Sequence, residues 1–385
     1  MKIVYIIDSL ASKGGAERII SEKMNYLANL CDYDVSVITF YQFPEVAPNC
    51  YYLSDKVRQI NLSIPSYLQY NFKYPKRLWV RWSCYNQLRK RLSETVNSIT
   101  PHIIIGLGYS MADIVCKIKC KAAKIIESHE ARLFTMSSLQ FKQSSPLSKA
   151  YLKLYRNYYL HIIEKHADAV VTLTRRDAQE WRKAKRVEII PNFSDMYISK
   201  LSDCESKRVI AVGRLEWQKG HDRLLDIWSI VSKTYPDWHL DIFGEGSLEM
   251  DLRNAIKKTN IKNVSIHPYT KNISIEYAHS SICVLTSRFE GFSLVLLEAM
   301  RHGLPCITFD CPYGPKELVD HEKSGFVIAN NDKKQFADKL CYLIGHPTIR
   351  KQFANVGVNK ALSYDINIIM NQWKELFNSL SSKKQ

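Results

Sequence analysis

The chain has 385 residues, of which 46% are hydrophobic and 24% charged, the ordinary balance of a soluble globular protein. This length exceeds the usual size of a single hydrophobic core, so we expect two domains of similar size. No apolar run approaches the roughly 18 residues of a membrane helix, so neither a spanning segment nor a signal peptide is expected. The net charge of +16 lies mostly in residues 1–200, which indicates that the first half meets something acidic.

The ten cysteines do not form a metal-binding pattern. There is no Cys-x-x-Cys, and without a targeting signal we expect reduced, mostly buried thiols. Asp32-Tyr33-Asp34 has the Asp-x-Asp spacing that can hold a cation, but it stands in a short connection between a helix and a strand. We therefore predict no metal site and no cofactor.

The first predicted element is the apolar strand Lys2 to Ile7, typical of a central parallel strand buried on both faces. Gly14 and Gly15 follow it and open a helix that runs to about Leu30. Glycines at such a turn let the backbone approach a ligand closely, and free N–H groups at the helix start attract anions. A Gly-Gly pair is also common in ordinary turns.

Residues 56–91 combine nine basic side chains, no acidic ones and seven aromatics: Tyr67, Tyr70, Phe72, Tyr74, Trp79, Trp82 and Tyr85. A basic helix is predicted from about Lys76 to Asn97. Basic and aromatic residues together favour the surface of an anionic membrane. The alternatives are a solvated insertion whose aromatics pack inward, and an RNA-binding surface.

Strands alternating with helices continue through the first half and predict a doubly wound α/β domain. One strand, Lys124 to Glu127, is followed by His129. Ligand sites in such sheets lie beyond the carboxyl ends of strands, so His129 is a candidate site residue. A structural histidine satisfied by packing is the alternative.

A polar segment, residues 193–207, is the predicted linker, and the run Arg208 to Gly213 begins a second sheet. Arg214 and Lys219 lie on the loop that follows, where two cations could neutralise a diphosphate leaving group. Two solvated loop charges are the alternative. The next strand, His239 to Phe243, ends in a turn with Gly244 and Gly246.

The stretch from Ser287 to Gly303 carries Glu290 and Glu298 on either side of a predicted helix start near Ser293. Unpaired N–H groups at that start favour an anion, and Glu298 could accept hydrogen bonds from a sugar ring. Alternatively, Ser293 caps an ordinary helix and both acids are solvated.

Taken together, these motifs resemble glycosyltransferase family 4, the retaining enzymes of GT-B fold. The resemblance rests on two glutamates separated by seven residues, followed by Gly303-Leu304-Pro305 and Gly314-Pro315, and on the Gly-Arg…Lys-Gly pattern at residues 213–220. The opening Gly14-Gly15-Ala16-Glu17-Arg18 is similar to that of many family members. The similarity spans nearly the whole chain and is strongest from Val209 to Val327.

The resemblance implies a GT-B architecture of two Rossmann-like α/β domains facing a cleft. Residues 1–192 would form the acceptor-side domain and residues 208–364 the nucleotide-sugar-binding domain, with a final helix in 365–385 packing back on the first.

The resemblance also implies residue roles. Arg214 and Lys219 would hold the diphosphate, Glu298 the ribose and Glu290 the sugar, with His129 near the anomeric carbon. The remaining donor-binding positions would be Gly14, Gly15, Gly244, Gly246, Tyr269, Gly291, Phe292, Ser293 and Leu294. Pro268 departs from the glycine usual in this family, which leaves recognition of the base open.

The expected function is metal-independent, retaining transfer of a hexose or N-acetylhexosamine from a nucleotide sugar, with UDP favoured over GDP. The expected acceptor is a lipid-linked or other saccharide in surface polysaccharide synthesis, such as lipopolysaccharide or capsule. Residues 56–91 would dock on the cytoplasmic face of the membrane, and no nucleic acid is expected. The alternatives are an inactive basic scaffold binding membrane or RNA, and a sugar-nucleotide epimerase.

Overall fold

The computed structural model describes residues 1–12, 14–40, 42, 48–64, 71–73, 75–129 and 145–382, with residues 109–112 described by their backbone alone. Three aromatics of the basic region, Tyr67, Tyr70 and Tyr74, lie outside the described residues.

A parallel sheet of seven strands forms the first half of the chain, in the order β3-β2-β1-β4-β5-β6-β7. The strands are β1 (Lys2–Ile7), β2 (Asp34–Thr39), β3 (Arg58–Asn61), β4 (Ile103–Leu107), β5 (Ala123–Ser128), β6 (Ala169–Thr172) and β7 (Val187–Ile189). Its helices are α1 (Gly15–Leu30), α2 (Lys76–Ile99), α3 (Gly108–Lys117), α4 (Pro146–His166) and α5 (Arg175–Ala178).

A second parallel sheet has six strands in the order β10-β9-β8-β11-β12-β13. The strands are β8 (Arg208–Val212), β9 (His239–Phe243), β10 (Val264–His267), β11 (Ile282–Leu285), β12 (Cys306–Phe309) and β13 (Gly325–Ile328). Its helices are α6 (His221–Thr234), α7 (Glu249–Thr259), α8 (Ile273–Ala278), α9 (Leu294–Arg301), α10 (Pro315–Leu318), α11 (Lys333–Gly345) and α12 (Pro347–Ala361).

In each sheet the order in which the chain adds strands reverses direction at one point. In the first sheet the chain moves outward from β1 to β3 and then returns to place β4 on the other side of β1. In the second sheet β8 and β11 flank the corresponding point. The loops after these strands diverge to opposite faces and leave a crevice, which is where open α/β sheets bind ligands.

The last helix, α13 (Ile366–Ser381), packs on the first sheet although it follows the second in sequence. Its apolar side chains join the hydrophobic cluster formed by β1, β2 and α1, among them Trp373 and Phe377. Polar contacts add to this packing, since the Arg186 guanidinium donates to the Ser379 hydroxyl over 2.7 Å. The two halves of the molecule are thus joined twice by the chain.

Candidate active site

The predicted donor loops lie at the points where the sheets reverse. Gly14 and Gly15 follow β1, the Arg214–Lys219 loop follows β8, and the loop with Glu290 follows β11. Sequence alone placed these loops after strands but not beside one another. The strand order supplies that step, because β8 and β11 are hydrogen-bonded neighbours.

The loop after β11 holds Glu290 in a buried position with charged and polar partners. Glu290 is 6% exposed, and its Oε1 lies 2.7 Å from the Lys219 ammonium. The Ser287 hydroxyl donates to the same oxygen over 2.6 Å. Behind it, a Cβ added to Gly314 would come 2.9 Å from the Glu290 Cβ, so the Gly-Pro turn packs directly against this acid.

Helix α9 begins one residue later than predicted, at Leu294, with Ser293 as its N-cap. The Ser293 hydroxyl accepts a hydrogen bond from the Leu296 N–H over 3.4 Å. Phe292 is buried and its ring lies 5.8 Å from that of Tyr364. Ser293 therefore caps the helix as the ordinary-helix alternative predicted. That alternative also predicted two solvated acids, and this part is wrong, because Glu290 and Glu298 are both buried.

The Arg214 loop is held close to the neighbouring Gly-x-Gly turn. The Leu215 N–H donates to the Glu245 carbonyl over 2.8 Å, and a Cβ on Gly246 would approach the Leu215 oxygen to 2.5 Å. Only glycine fits such an approach. Arg214 itself is exposed and its guanidinium donates to the Gln218 side chain over 3.3 Å, whereas Lys219 turns inward to Glu290.

Glu298 is contacted from the first half of the chain. Its Oε1 lies 2.8 Å from the Arg18 guanidinium, and the Tyr277 hydroxyl donates to Oε2 over 3.4 Å. Burial raises the pKa of Glu298 above its usual value, and the charge of Arg18 opposes that rise. Arg18 thus favours the ionised form of the acid predicted to bind ribose.

The start of α1 faces the start of α9. A Cβ on Gly15 would lie 3.1 Å from the Leu294 side chain, so the two helix N-termini approach each other across the cleft. Helix α5 makes a second set of polar contacts between the two halves of the chain. The Arg175 N–H donates to Glu317 over 3.0 Å, and Arg176 pairs with Asp310 at 2.8 Å. Both sets of contacts border the loops predicted to bind the donor.

His129 belongs to a separate buried group. Its Nε2 lies 3.0 Å from Glu127 Oε1, and the Lys23 ammonium lies 2.6 Å from that same oxygen. Among the described residues, His129 makes no polar contact with the donor-side residues of the second half. Burial opposes ionisation of Glu127, but Lys23 and then His129 outweigh it and lower the pKa of this carboxyl.

Tyr269 lies after β10 and is about half exposed, while Gly291 is partly covered. Burial, followed by nearby groups that include Tyr269, raises the pKa of Tyr51 to about 12. Tyr51 belongs to the first half of the chain, so Tyr269 lies near enough to that half to act on it electrostatically. No cluster of three or more His, Cys, Asp or Glu suited to a metal occurs in the described part of the chain.

Sequence reasoning missed Arg18, which pairs with Glu298, and it missed Lys23 and Glu127, which lie beside His129. Arg18 was visible in the Gly-Gly-Ala-Glu-Arg motif, whose glycines alone were given a role. Lys23 and Glu127 lie 104 positions apart, and nothing in their local sequence indicates that they meet. A buried lysine on an apolar helix face was the one available signal, because lysine is seldom buried without a partner.

Comparison with known proteins finds relatives among the glycosyltransferases. Residues 198–359 match the family model of the glycosyl transferases group 1. An uncharacterized glycosyltransferase of Haemophilus influenzae is 28% identical over 97% of this chain and 99% of its own length. The amylovoran biosynthesis glycosyltransferase AmsD of Erwinia amylovora is also 28% identical, over 98% and 99%.

Solved structures match over the whole chain. Sucrose-phosphate synthase from Thermosynechococcus elongatus has a TM-score of 0.82 at 17% identity, covering 99% of both chains. A mutant of Staphylococcus aureus TarM, in complex with Fondaparinux, alpha-GlcNAc-glycerol and UDP, has a TM-score of 0.75 at 16% identity, covering 98% of this chain and 99% of that one. The fold is GT-B. The predicted fold class is confirmed, and the sequence matches support a glycosyltransferase, while assignment to family 4 stays a prediction.

Proposed function

We propose that this GT-B protein is a retaining, metal-independent glycosyltransferase that moves a hexose or N-acetylhexosamine from a UDP-sugar to a saccharide acceptor. The observation that carries the proposal is the meeting of Lys219, Glu290 and the N-terminus of α9 at the point where the second sheet reverses. A cation beside a helix start suits a diphosphate, and buried carboxylates suit the hydroxyls of a ribose and a sugar.

The donor's diphosphate would lie between Arg214, Lys219 and the first N–H groups of α9, with Gly15 closing the opposite side. Exposed Arg214 is available to swing onto a phosphate, whereas Lys219 is already fixed by Glu290. Glu290 would orient Lys219 and would use its remaining lone pairs to accept a hydrogen bond from a sugar hydroxyl. Glu298 would accept hydrogen bonds from the ribose hydroxyls.

The proposed reaction keeps the anomeric configuration. The acceptor oxygen bonds to the anomeric carbon on the face from which the diphosphate leaves, the bond from that carbon to the phosphate oxygen breaks, and the acceptor's proton passes to the departing phosphate. Lys219 and Arg214 would stabilise the charge that develops there. Glu290 is held by an ammonium and a hydroxyl, which favours a binding role over that of a nucleophile.

The choice of UDP is supported by the UDP bound to TarM. The saccharide acceptor is supported by AmsD, a glycosyltransferase of amylovoran biosynthesis. We further propose that the acceptor is lipid-linked and that the protein works at the cytoplasmic membrane surface. Exposed Trp79 and Trp82 on α2, beside Lys76, Arg77 and Arg81, support this part. No helix in the described part of the chain is long and apolar enough to cross a bilayer.

A donor screen tests the proposal. Nucleotide release is measured for several UDP- and GDP-sugars, with and without a lipid-linked saccharide acceptor, and the products are analysed by NMR for anomeric configuration. We expect acceptor-dependent release of UDP and an α-linked product from an α-linked donor. An inverted product would contradict retention. A changed sugar nucleotide without acceptor would indicate an epimerase, and no consumption of any donor would indicate a scaffold.

The variant Glu298→Gln links that activity to this site. Loss of the charge-assisted ribose contact is expected to lower kcat/KM about 30- to 1,000-fold. Glu94→Gln, which changes an exposed acid on α2, serves as the matched control and should keep full activity. Equal activity in the two variants would show that the donor binds elsewhere.

A further inference from the structure

Four side chains from different parts of the chain form a buried polar group that we call the Lys23 cluster: Lys23, Glu127, His129 and Trp373. Lys23 Nζ lies 2.6 Å and 2.7 Å from the two oxygens of Glu127, and 3.6 Å from the centroid of the Trp373 ring. Lys23 and Glu127 are each 1% exposed. Of these four, only His129 was assigned to the site by the sequence resemblance, which implies a position near the anomeric carbon of the donor sugar.

Stability alone does not account for this ion pair. Removing two charges from water costs several kcal/mol for each ion, and well-packed apolar residues of similar size are often equally or more stabilising. The pair is nevertheless well satisfied, because the ammonium meets both carboxylate oxygens and the face of an aromatic ring. The Lys23–Glu127 ion pair lies in the core at the carboxyl end of a strand, where ligands bind in such sheets. We therefore expect a function of the pair other than stabilising the sheet.

The position of the pair indicates that function. Glu127 lies at the carboxyl end of β5, and His129 follows two residues later. Glu127 Oε1, already bound by Lys23, is also the oxygen 3.0 Å from His129 Nε2. A carboxylate kept ionised by a buried ammonium can only accept hydrogen bonds, so His129 can hydrogen-bond to it only through a proton on Nε2.

We propose that Lys23 and Glu127 are positioning residues that hold His129 in one ring orientation and in the tautomer protonated on Nε2. Nδ1 is then an acceptor for a hydroxyl of the donor sugar. The Trp373 ring lies against the Lys23 ammonium and so brings the last helix into the support of the site. The inference rests on the proposed function and on the contact between His129 and the donor sugar that the sequence resemblance implies.

Single and double substitutions of Lys23 and Glu127 distinguish a role in positioning His129 from a role in stabilising the fold. Lys23→Met and Glu127→Leu each leave one buried charge without its partner and should lower the free energy of unfolding in urea. The double variant K23M/E127L removes both charges and should recover most of that stability. The same variants are assayed for UDP affinity by calorimetry, for kcat, and for the imidazole nitrogen shifts of His129 by NMR.

We expect kcat of the double variant to stay about 10- to 100-fold below that of the parent, as for other supporting residues whose loss misplaces a reacting group. UDP affinity should remain within about twofold, because the nucleotide is held by the second domain in the proposed function. The His129 resonances should change from a single Nε2-protonated form to a mixture. Lys124→Met, on the same strand, should lower stability without altering the tautomer, since its ammonium bonds to the Cys116 and Ile118 carbonyls.

Two outcomes would overturn the inference. One is a double variant with parental kcat and an unchanged His129 spectrum. The other needs no variant, since a His129 protonated on Nδ1 in the parent protein contradicts the proposed tautomer even if the double variant does not fold. His129→Ala separates this failure from that of the proposed function. If that variant turns over at the parental rate, the sugar contact is wrong; if it is slow while the double variant is fast, only the role of Lys23 and Glu127 is wrong.

Discussion

Two carboxylates eight positions apart in sequence have different partners in the folded chain. Glu290 pairs with Lys219 of its own domain, while Glu298 pairs with Arg18, which comes from the other side of the cleft. Both pairs are made within the protein itself. A donor would therefore meet acids that are already oriented by cations, which reduces the reorganisation needed when it binds.

The pairing of Lys219 gives a prediction for catalysis. Lys219→Ala removes the cation closest to the proposed leaving group and leaves Glu290 buried without its ammonium, so kcat/KM should fall about 30- to 1,000-fold. Steady-state kinetics on the preferred UDP-sugar measure the effect. Lys258→Ala changes an exposed lysine at the end of α7 and should behave as the parent. A Lys219→Ala enzyme with unchanged kcat/KM would remove this residue from the site.

The pairing of Arg18 gives a prediction about pH. Burial raises the pKa of Glu298 and Arg18 opposes that rise, so Arg18→Met should raise the pKa further and keep the acid protonated up to a higher pH. Donor affinity that depends on the carboxylate is then lost earlier as the pH falls. We expect the KM for the donor to rise most at the acid end of the pH range and to approach the parental value as the pH is raised.

Arg18→Lys is the control for that experiment, because it retains a positive charge near Glu298 and should follow the parental pH profile more closely. A KM ratio between Arg18→Met and the parent that does not change with pH would show that Arg18 acts through packing alone.

At the scale of elements, α2 has an unusual distribution of burial. It spans 24 residues, yet its fully buried side chains are Leu92 and Val96, both in its second half. In its first half Trp79 is 65% exposed and Trp82 is 64% exposed. The inward-packing alternative for the basic region holds in part, since the Tyr85 hydroxyl bonds to Asp113 on α3.

The first half of α2 therefore carries a prediction about lipid binding. The double variant Trp79→Ala/Trp82→Ala should bind more weakly to vesicles containing phosphatidylglycerol, because it lacks the two indole rings that would insert among the lipid headgroups. Cosedimentation with anionic and with neutral vesicles measures this. Met250→Ala, at an exposed apolar position on α7, is the control. Equal retention of both variants would exclude this face as the docking surface.

Elements were more predictable from sequence than their arrangement. β1 and β9 have the predicted bounds because each is a short apolar run set off by polar residues. β13 and α3 were not predicted. Gly325–Ile328 is a four-residue strand that gains its stability from pairing with β12, a contact that local sequence does not contain. The same limit applied to the site, where Glu290 was visible in a motif but its contact with Lys219 was not.

At the scale of the whole molecule, α13 is part of the first hydrophobic core although the second sheet separates it from that core in sequence. Phe377→Ala should lower the free energy of unfolding by about 3–5 kcal/mol, because it leaves a large cavity beside β1 and β2. UDP affinity at the second domain should change less than about twofold. Urea unfolding and calorimetry measure the two quantities, and a parallel loss of UDP affinity would contradict their separation.

The packing of α13 on the first sheet also affects the order in which the two halves fold during synthesis. While the ribosome has made only the first 360 or so residues, the first sheet lacks the helix that covers one of its faces, and Lys23 lacks the ring of Trp373. The second sheet, by contrast, is contiguous in sequence and can fold as soon as its strands emerge. We therefore expect the first half of the protein to complete its native packing only after the last helix has left the ribosome.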